Sequence, residues 1–155
     1  IMDASGMLAT LAEALLKIAK TTGMLVVVTV FSCIFVNVIA ADQYLAIVLP
    51  GRMYKEAFED RRLAPKNLSR ALEDSGTITS ALVPWNTCGA TMSTFLGVPT
   101  AQYFRYAFLN WVNPLVSIFY GFTGISMTKM TDEEYQKILE EREAEKQAAV
   151  KAAEA

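Results

Sequence analysis

The chain has 155 residues, of which 53% are hydrophobic and 19% charged, with a formal net charge of −2 and no histidine. One domain would fit that length, but the balance is unusual for a soluble globule, and the missing imidazole removes the commonest metal ligand and general base. A soluble hydrolase and a zinc enzyme are therefore poor fits, and with no basic patch interleaved with aromatics so is a nucleic-acid binder.

The charges are segregated. Between Met24 and Pro50 the only one is Asp42, and between Gly76 and Met127 the only one is Arg105. That pattern predicts an all-α polytopic membrane protein. Cys33 and Cys88 both lie in apolar stretches, which predicts small buried thiols rather than a disulfide. No basic n-region, h-region and cleavage site open the chain, so no signal peptide is expected. Because Ile1 falls in mid-pattern, the chain reads as the C-terminal piece of something longer.

Residues 1–20 carry Leu8, Leu11, Leu15 and Ile18 at helical spacing with Glu13, Lys17 and Lys20 between them. This is either an amphipathic arm along the membrane surface or the end of an upstream span. Residues 21–58 also allow two readings. A single helix over Thr21–Leu49 would reach roughly 42 Å, longer than the roughly 30 Å hydrocarbon core, and would need tilt. A re-entrant hairpin would instead enter over Met24–Val36, turn at Asn37–Gln43 and leave by Tyr44–Phe58. Periodicity leaves the choice open.

Pro50-Gly51 ends the apolar run and opens Arg52–Arg70, which has six basic residues against three acidic ones. Loop 52–70, with the connection 59–72 inside and beyond it, is expected on the cytoplasmic side. Residues 73–98 then cross as a broken helix, and 99–128 cross back as the last span. The charged helical tail, 129–155, thus shares the cytoplasmic side, with Thr131 as N-cap and Glu134 completing a capping box. In the last span, Gly121 and Gly124 suit close helix packing, and Tyr103, Tyr106 and Trp111 suit the outer interface.

The break carries the chemistry. Pro84 lacks a backbone N–H and would clash with the Ser80 carbonyl, so the helix must kink or end before Trp85. Freed backbone groups are tolerated at membrane depth only in protein or in a wet cavity, and transporters use that arrangement to hold ions. Candidate oxygens here are Thr79, Ser80, Asn86, Thr87 and Thr91, with carbonyls near Val83 and Trp85. Any single Ser or Thr more simply bonds back to its own helix, whereas Asn86-Thr87, close behind the proline, favours a site. Asp42 is either an interfacial aspartate or a carboxylate for which proton and sodium compete, the minimal chemistry of an antiporter.

The runs DQYLAIVLPGRMYKEAF, SRALEDSGT and LVPWNTCGA are long and particular. With the rest of about residues 5–127, they resemble the C-terminal part of the NhaC family of sodium/proton antiporters of the bacterial inner membrane. The acidic tail lies outside the match. The resemblance implies one of two inverted repeats, each with a re-entrant hairpin and a broken helix, and so favours the hairpin over residues 24–58. It also implies no cofactor and no enzymatic reaction, only sodium and protons as transported substrates. The partners are then the bilayer and an N-terminal repeat absent from this sequence, and a homodimer is left open. On that reading sodium is held by Asn37, Asp42, Asn86 and Thr87, with Asp42 as the protonatable competitor and Pro84-Trp85 as the break. Rival readings are a sodium-coupled malate/lactate exchanger and a non-transporting structural or regulatory membrane subunit.

Overall fold

Two residues, Ala41 and Asp42, interrupt what would otherwise be one helix from Thr22 to Asp60. A computed structural model describes residues 19 and 21–153, with side chains through 144. The arm expected over residues 1–20 lies outside the described residues except for Ala19. Helix α1 (Thr22–Ala40) starts at Thr21, whose hydroxyl accepts from Met24 N at 3.2 Å. It is the one described helix long and apolar enough to cross a membrane, by length and composition; its 19 residues reach about 28 Å. Ala41 then adopts a left-handed conformation, φ 55°, which reverses the chain into α2 (Gln43–Asp60).

The reversal is real in space. Ser32 Oγ and Tyr54 Oη, 22 positions apart, share a 2.7 Å hydrogen bond, so α1 and α2 lie side by side and antiparallel. The turn is tighter than the Asn37–Gln43 tip expected from sequence, because Asn37 stays helical and only Ala41 and Asp42 leave the helix. Pro50 does not end α2 either: it is buried inside it. A proline there cannot donate to the Ala46 carbonyl, and the broken helix packs close to that oxygen. A Cβ at Gly76 would sit 3.3 Å from it.

After Arg61-Arg62 the chain forms α3 (Pro65–Leu72), a π-helical turn at Glu73–Thr77 and the short α4 (Ile78–Ser80), one continuous rod that ends at the break. The chain resumes as α5 (Thr87–Leu96), the short α6 (Thr100–Tyr103) and α7 (Phe108–Thr123), and closes with α8 (Asp132–Ala153). The last expected span is therefore split at Phe104–Ala107. The segment is held by Trp111, whose Nε1 donates to Phe104 O at 3.0 Å and whose ring meets Phe104 edge-on at 4.5 Å. The described residues are all-helical apart from one isolated bridge between Leu63 and Lys129.

Leu25, Val26, Val30 and Cys33 of α1, Tyr54 and Phe58 of α2, and Leu68, Ala71 and Leu72 of α3 form the core. Helix α7 closes it: a Cβ on Gly121 would lie 2.9 Å from the Cβ of Val26, so that glycine sets the helix separation. Gly124 instead ends α7, at φ 70°. Large apolar side chains face outward from both helices, among them Phe31, Phe35 and Ile39 of α1 and Leu109, Leu115 and Phe119 of α7.

The connection and the tail are laced together by polar contacts. Asn67 donates to Thr128 O at 2.6 Å and accepts from Thr128 N at 3.2 Å, and Met130 N reaches Arg62 O at 2.8 Å. The capping box forms in both directions, with Thr131 N on Glu134 Oε2 at 2.9 Å and Glu134 N on Thr131 Oγ1 at 3.4 Å. From α8, Arg142 then reaches Glu56 at 2.9 Å, Asp60 at 2.8 Å and Glu59 at 3.9 Å on α2. Glu59 is buried, and that burial pushes its carboxyl up, partly opposed by Lys55 and Arg142. Arg142→Ala should free the tail at a cost of roughly 1–2 kcal/mol, moderated by the exposure of Glu56 and Asp60, and limited proteolysis after residue 130 would register it as faster cleavage. Adding Glu59→Gln should recover part of that loss, because the buried charge left with only Lys55 at 4.0 Å is then gone.

Candidate ion site

Ending the rod at Ser80 leaves carbonyls that no helix can satisfy. The 73–98 segment answers with tight turns and borrowed side chains. Leu82 N bonds Thr79 O at 3.0 Å, Val83 N bonds Ser80 O at 3.3 Å and Asn86 N bonds Val83 O at 3.1 Å. Asn110 of α7 donates to Ile78 O at 2.6 Å, and Tyr103 Oη donates to Ala81 O at 2.6 Å. The carbonyl near Val83, expected to be free, is thus engaged once already; a carbonyl's second lone pair is what remains for an ion.

Two buried asparagines join the break to α1. Asn37 Nδ2 donates to Gly76 O at 2.7 Å and to Thr79 Oγ1 at 3.2 Å. Asn86 Nδ2 donates in turn to Asn37 Oδ1 at 3.1 Å and Asn37 O at 3.3 Å. Both side chains are completely buried. Asn86 Oδ1 faces the other way and caps α5 by accepting from Cys88 N at 3.0 Å. Thr87 N bonds Ala41 O at 3.1 Å, which brings the α1–α2 turn to the start of α5. Three of the four expected site residues, Asn37, Asn86 and Thr87, therefore meet.

Asp42 is next to this cluster along the chain, yet its side chain is occupied in holding the fold. Its Oδ1 accepts from Tyr44 N at 2.6 Å and Leu45 N at 3.4 Å, capping α2. Pro84 and Trp85 are exposed, and Trp85 Nε1 donates to Val38 O at 2.8 Å, a second tie from the break to the end of α1. Thr91 bonds back to Thr87 O at 2.7 Å on an exposed face, as a helix hydroxyl ordinarily does.

Gln43, Cys88 and Gly89 complete the cluster, and sequence reasoning did not select them as site residues. Gln43 Oε1 accepts from Cys88 Sγ at 2.6 Å and Ser80 Oγ at 3.5 Å, bridging the turn, the rod and α5. Gly89 lies so close to the break that a Cβ would stand 2.0 Å from Val83 O. Its position three residues after Asn86, in the first turn of the helix that follows the break, was the available signal. Among the described residues, Thr77 Oγ1 is buried with no hydrogen-bond partner.

The cluster is neutral, with donors turned inward onto one another. Two helical C-termini, at Ala40 and Ser80, bring partial negative charge to it, and the N-termini of α2 and α5 bring positive. Asn37→Ala should cost roughly 2–4 kcal/mol by taking the amide donor from Gly76 O and leaving the buried Asn86 amide only its 3.3 Å bond to the residue-37 carbonyl, seen as a lower thermal midpoint in detergent. Gly89→Ala should prevent folding or insertion outright, since its clash is with backbone. Thr91→Ala should change stability by less than about 0.5 kcal/mol.

The model of the Na+/H+ antiporter family matches residues 1–125. The chain is 38% identical over 122 residues to the Na(+)/H(+) antiporter NhaC of Bacillus subtilis, covering 79% of this chain and 27% of that protein. It is 34% identical over 134 residues to the arginine/ornithine antiporter ArcD of Halobacterium salinarum, covering 86% and 28%. To the malate-2H(+)/Na(+)-lactate antiporter of Bacillus subtilis it is 27% identical over 124 residues, covering 80% and 26%. The chain thus spans little more than a quarter of the length of these relatives. No solved structure matches it.

Proposed function

The chain belongs to the Na+/H+ antiporter family, and from that premise we propose that it is the C-terminal repeat of a secondary antiporter that exchanges sodium for protons across the bacterial inner membrane. Members of this family are integral membrane proteins that transport rather than catalyse. In our reading, residues 21–58 are a re-entrant hairpin, 73–98 the broken helix and 99–128 the last span, with loop 52–70, the connection 59–72 and the tail cytoplasmic. An upstream repeat of opposite orientation supplies the other half of the site.

The observation that carries the reading is the buried junction of Asn37 and Asn86. Two asparagines buried at membrane depth are expensive unless they serve a site, and here they stand where two helical C-termini converge. Sodium stripped of water takes oxygens from Asn37, Asn86 and Thr87, and Asp42 supplies the negative charge that the neutral amides lack. A proton arriving at Asp42 removes that charge and releases the ion. One site thus holds either cation, which is the coupling an exchanger requires.

The N-termini of α2 and α5 support a second reading, in which the same residues face the carboxylate of an organic acid. Family relatives named for malate and lactate or for arginine and ornithine keep that reading in play.

In the complete transporter, Asp42→Asn should abolish sodium-driven proton movement in vesicles while the protein still inserts. Asn86→Ala and Pro84→Ala should weaken apparent sodium affinity more than Ser93→Ala or Thr94→Ala, about two turns along; equal effects at all four would remove the break from the site. Malate or lactate that stimulates flux and is itself carried would favour the organic-acid reading. For topology, single cysteines at Thr21, Lys55 and Lys137 in a cysteine-free background should all react with an impermeant reagent from the cytoplasmic face alone. Labelling of Thr21 from outside would make 21–58 a true crossing.

A further inference from the structure

Asp74, at the start of the proposed broken span, is a carboxylate that the proposed sodium site does not use. It sits in the π-helical turn Glu73–Thr77, half-buried, and its Oδ1 accepts from Asn113 Nδ2 of α7 at 3.2 Å. The buried Ser117 follows one turn on along the same face of α7, beside Asp74. Asn110, Asn113 and Ser117 follow at spacings of three and four, one face of a helix. Helix α7 thus turns a polar seam toward the broken helix and an apolar face of Leu109, Leu115 and Phe119 outward. Such a seam on a helix of the last span calls for a use.

We propose that Asp74 is a second proton-binding group of the exchange cycle, presented by Asn113 with Ser117 beside it. This rests on the antiporter reading above and deepens it. The partners suit a group that changes protonation: an asparagine amide or a hydroxyl can donate to the carboxylate or accept from the acid, so neither state leaves a group stranded. Asp42, held by two backbone N–H donors, has no such freedom on Oδ1. A proton from the aqueous phase converts the Asp74 carboxylate to the acid, and its departure to the opposite phase restores the carboxylate, with no other reactant needed. Two residues on, Gly76 O holds the Asn37 amide that braces the ion junction. Asp74 and that junction therefore share one π turn, a local form often found at functional sites.

The charged groups acting on Asp74 are Arg70 and Glu73 on its own rod. Arg70 is already engaged, with Ser126 Oγ at 2.8 Å and the Tyr120 ring at 5.9 Å. Helix α1 packs on the turn without a charged side chain, its one titratable group there being the Cys33 thiol beside Ser75. Helix α2 meets the turn through Ala46 and Ile47 at Gly76, and its charged residues begin at Arg52. Helix α4 has none, and α7 adds only Tyr120.

The test is the pH profile of sodium-driven proton movement by the complete transporter in vesicles. Asp74→Asn should lower the maximal rate about tenfold or more and flatten the profile, while half-saturating sodium changes far less. Asp74→Glu should restore much of the rate. Asn113→Ala, which keeps the carboxyl but loses its partner, should move the profile midpoint by about half a pH unit or more. Wild-type rate and profile in Asp74→Asn overturn the proposal. Where Asp74→Asn fails to insert, Asn113→Ala decides, and an unchanged midpoint overturns it. Loss of activity in Asp42→Asn beside an unaffected Asp74→Asn rejects the Asp74 role and leaves the proposed sodium site standing. The reverse pattern places proton coupling at Asp74 and rejects Asp42.

Discussion

Everything near the break depends on the two-asparagine bridge between α1 and the start of α5. A helix interrupted among apolar neighbours must have its loose backbone groups satisfied by partners, since lipid offers none. Asn37 reaches the rod before the break and Asn86 reaches back to Asn37, so one chain of bonds ties three segments that are far apart in sequence. Tyr103 and Asn110 extend the same service to Ala81 and Ile78. The break is therefore rigidly held rather than loose.

The irregularities of the fold fall together. The Ala41–Asp42 reversal, the π turn at Glu73–Thr77 and the Pro84 break are tied together through Asn37, Gln43 and Thr87, and the Ala46 carbonyl that Pro50 cannot serve lies against Gly76. Each alone would be a defect in a helix; gathered, they form the polar centre of an otherwise apolar bundle. The regular parts lie outside that centre: the apolar core to one side, the laced connection and tail at the end of α2 and α3.

The Arg142 cluster belongs to a different layer. The family match ends at residue 125, and the chain beyond it returns through Ser126–Met130 along the 62–70 connection before Arg142 meets three carboxylates of α2. Two of those carboxylates, Glu56 and Asp60, are exposed and only Glu59 is buried, so the bonds fix the position of the tail more than they stabilise the core.

Much of this was legible in the chain itself. The segregation of charge, the all-helical class and the break at Pro84 follow from composition and from local rules, because a proline acts on its own turn and an apolar run needs no partner to be recognised. The capping box at Thr131 is local in the same way. The family was legible through the resemblance that three long runs carry. The partners of Asn37, the cap that Asp42 provides, the continuation of α2 through Pro50 and the contact of Asp74 with Asn113 were not legible. Asp74 and Asn113 are 39 positions apart, and a side chain's partner at that separation is set by how helices pack, which no local pattern encodes. Gly76 and Gly89 make the same point: their lack of a side chain reads in sequence as freedom, and only the tertiary structure reveals it as the space that lets Ala46 and Val83 approach.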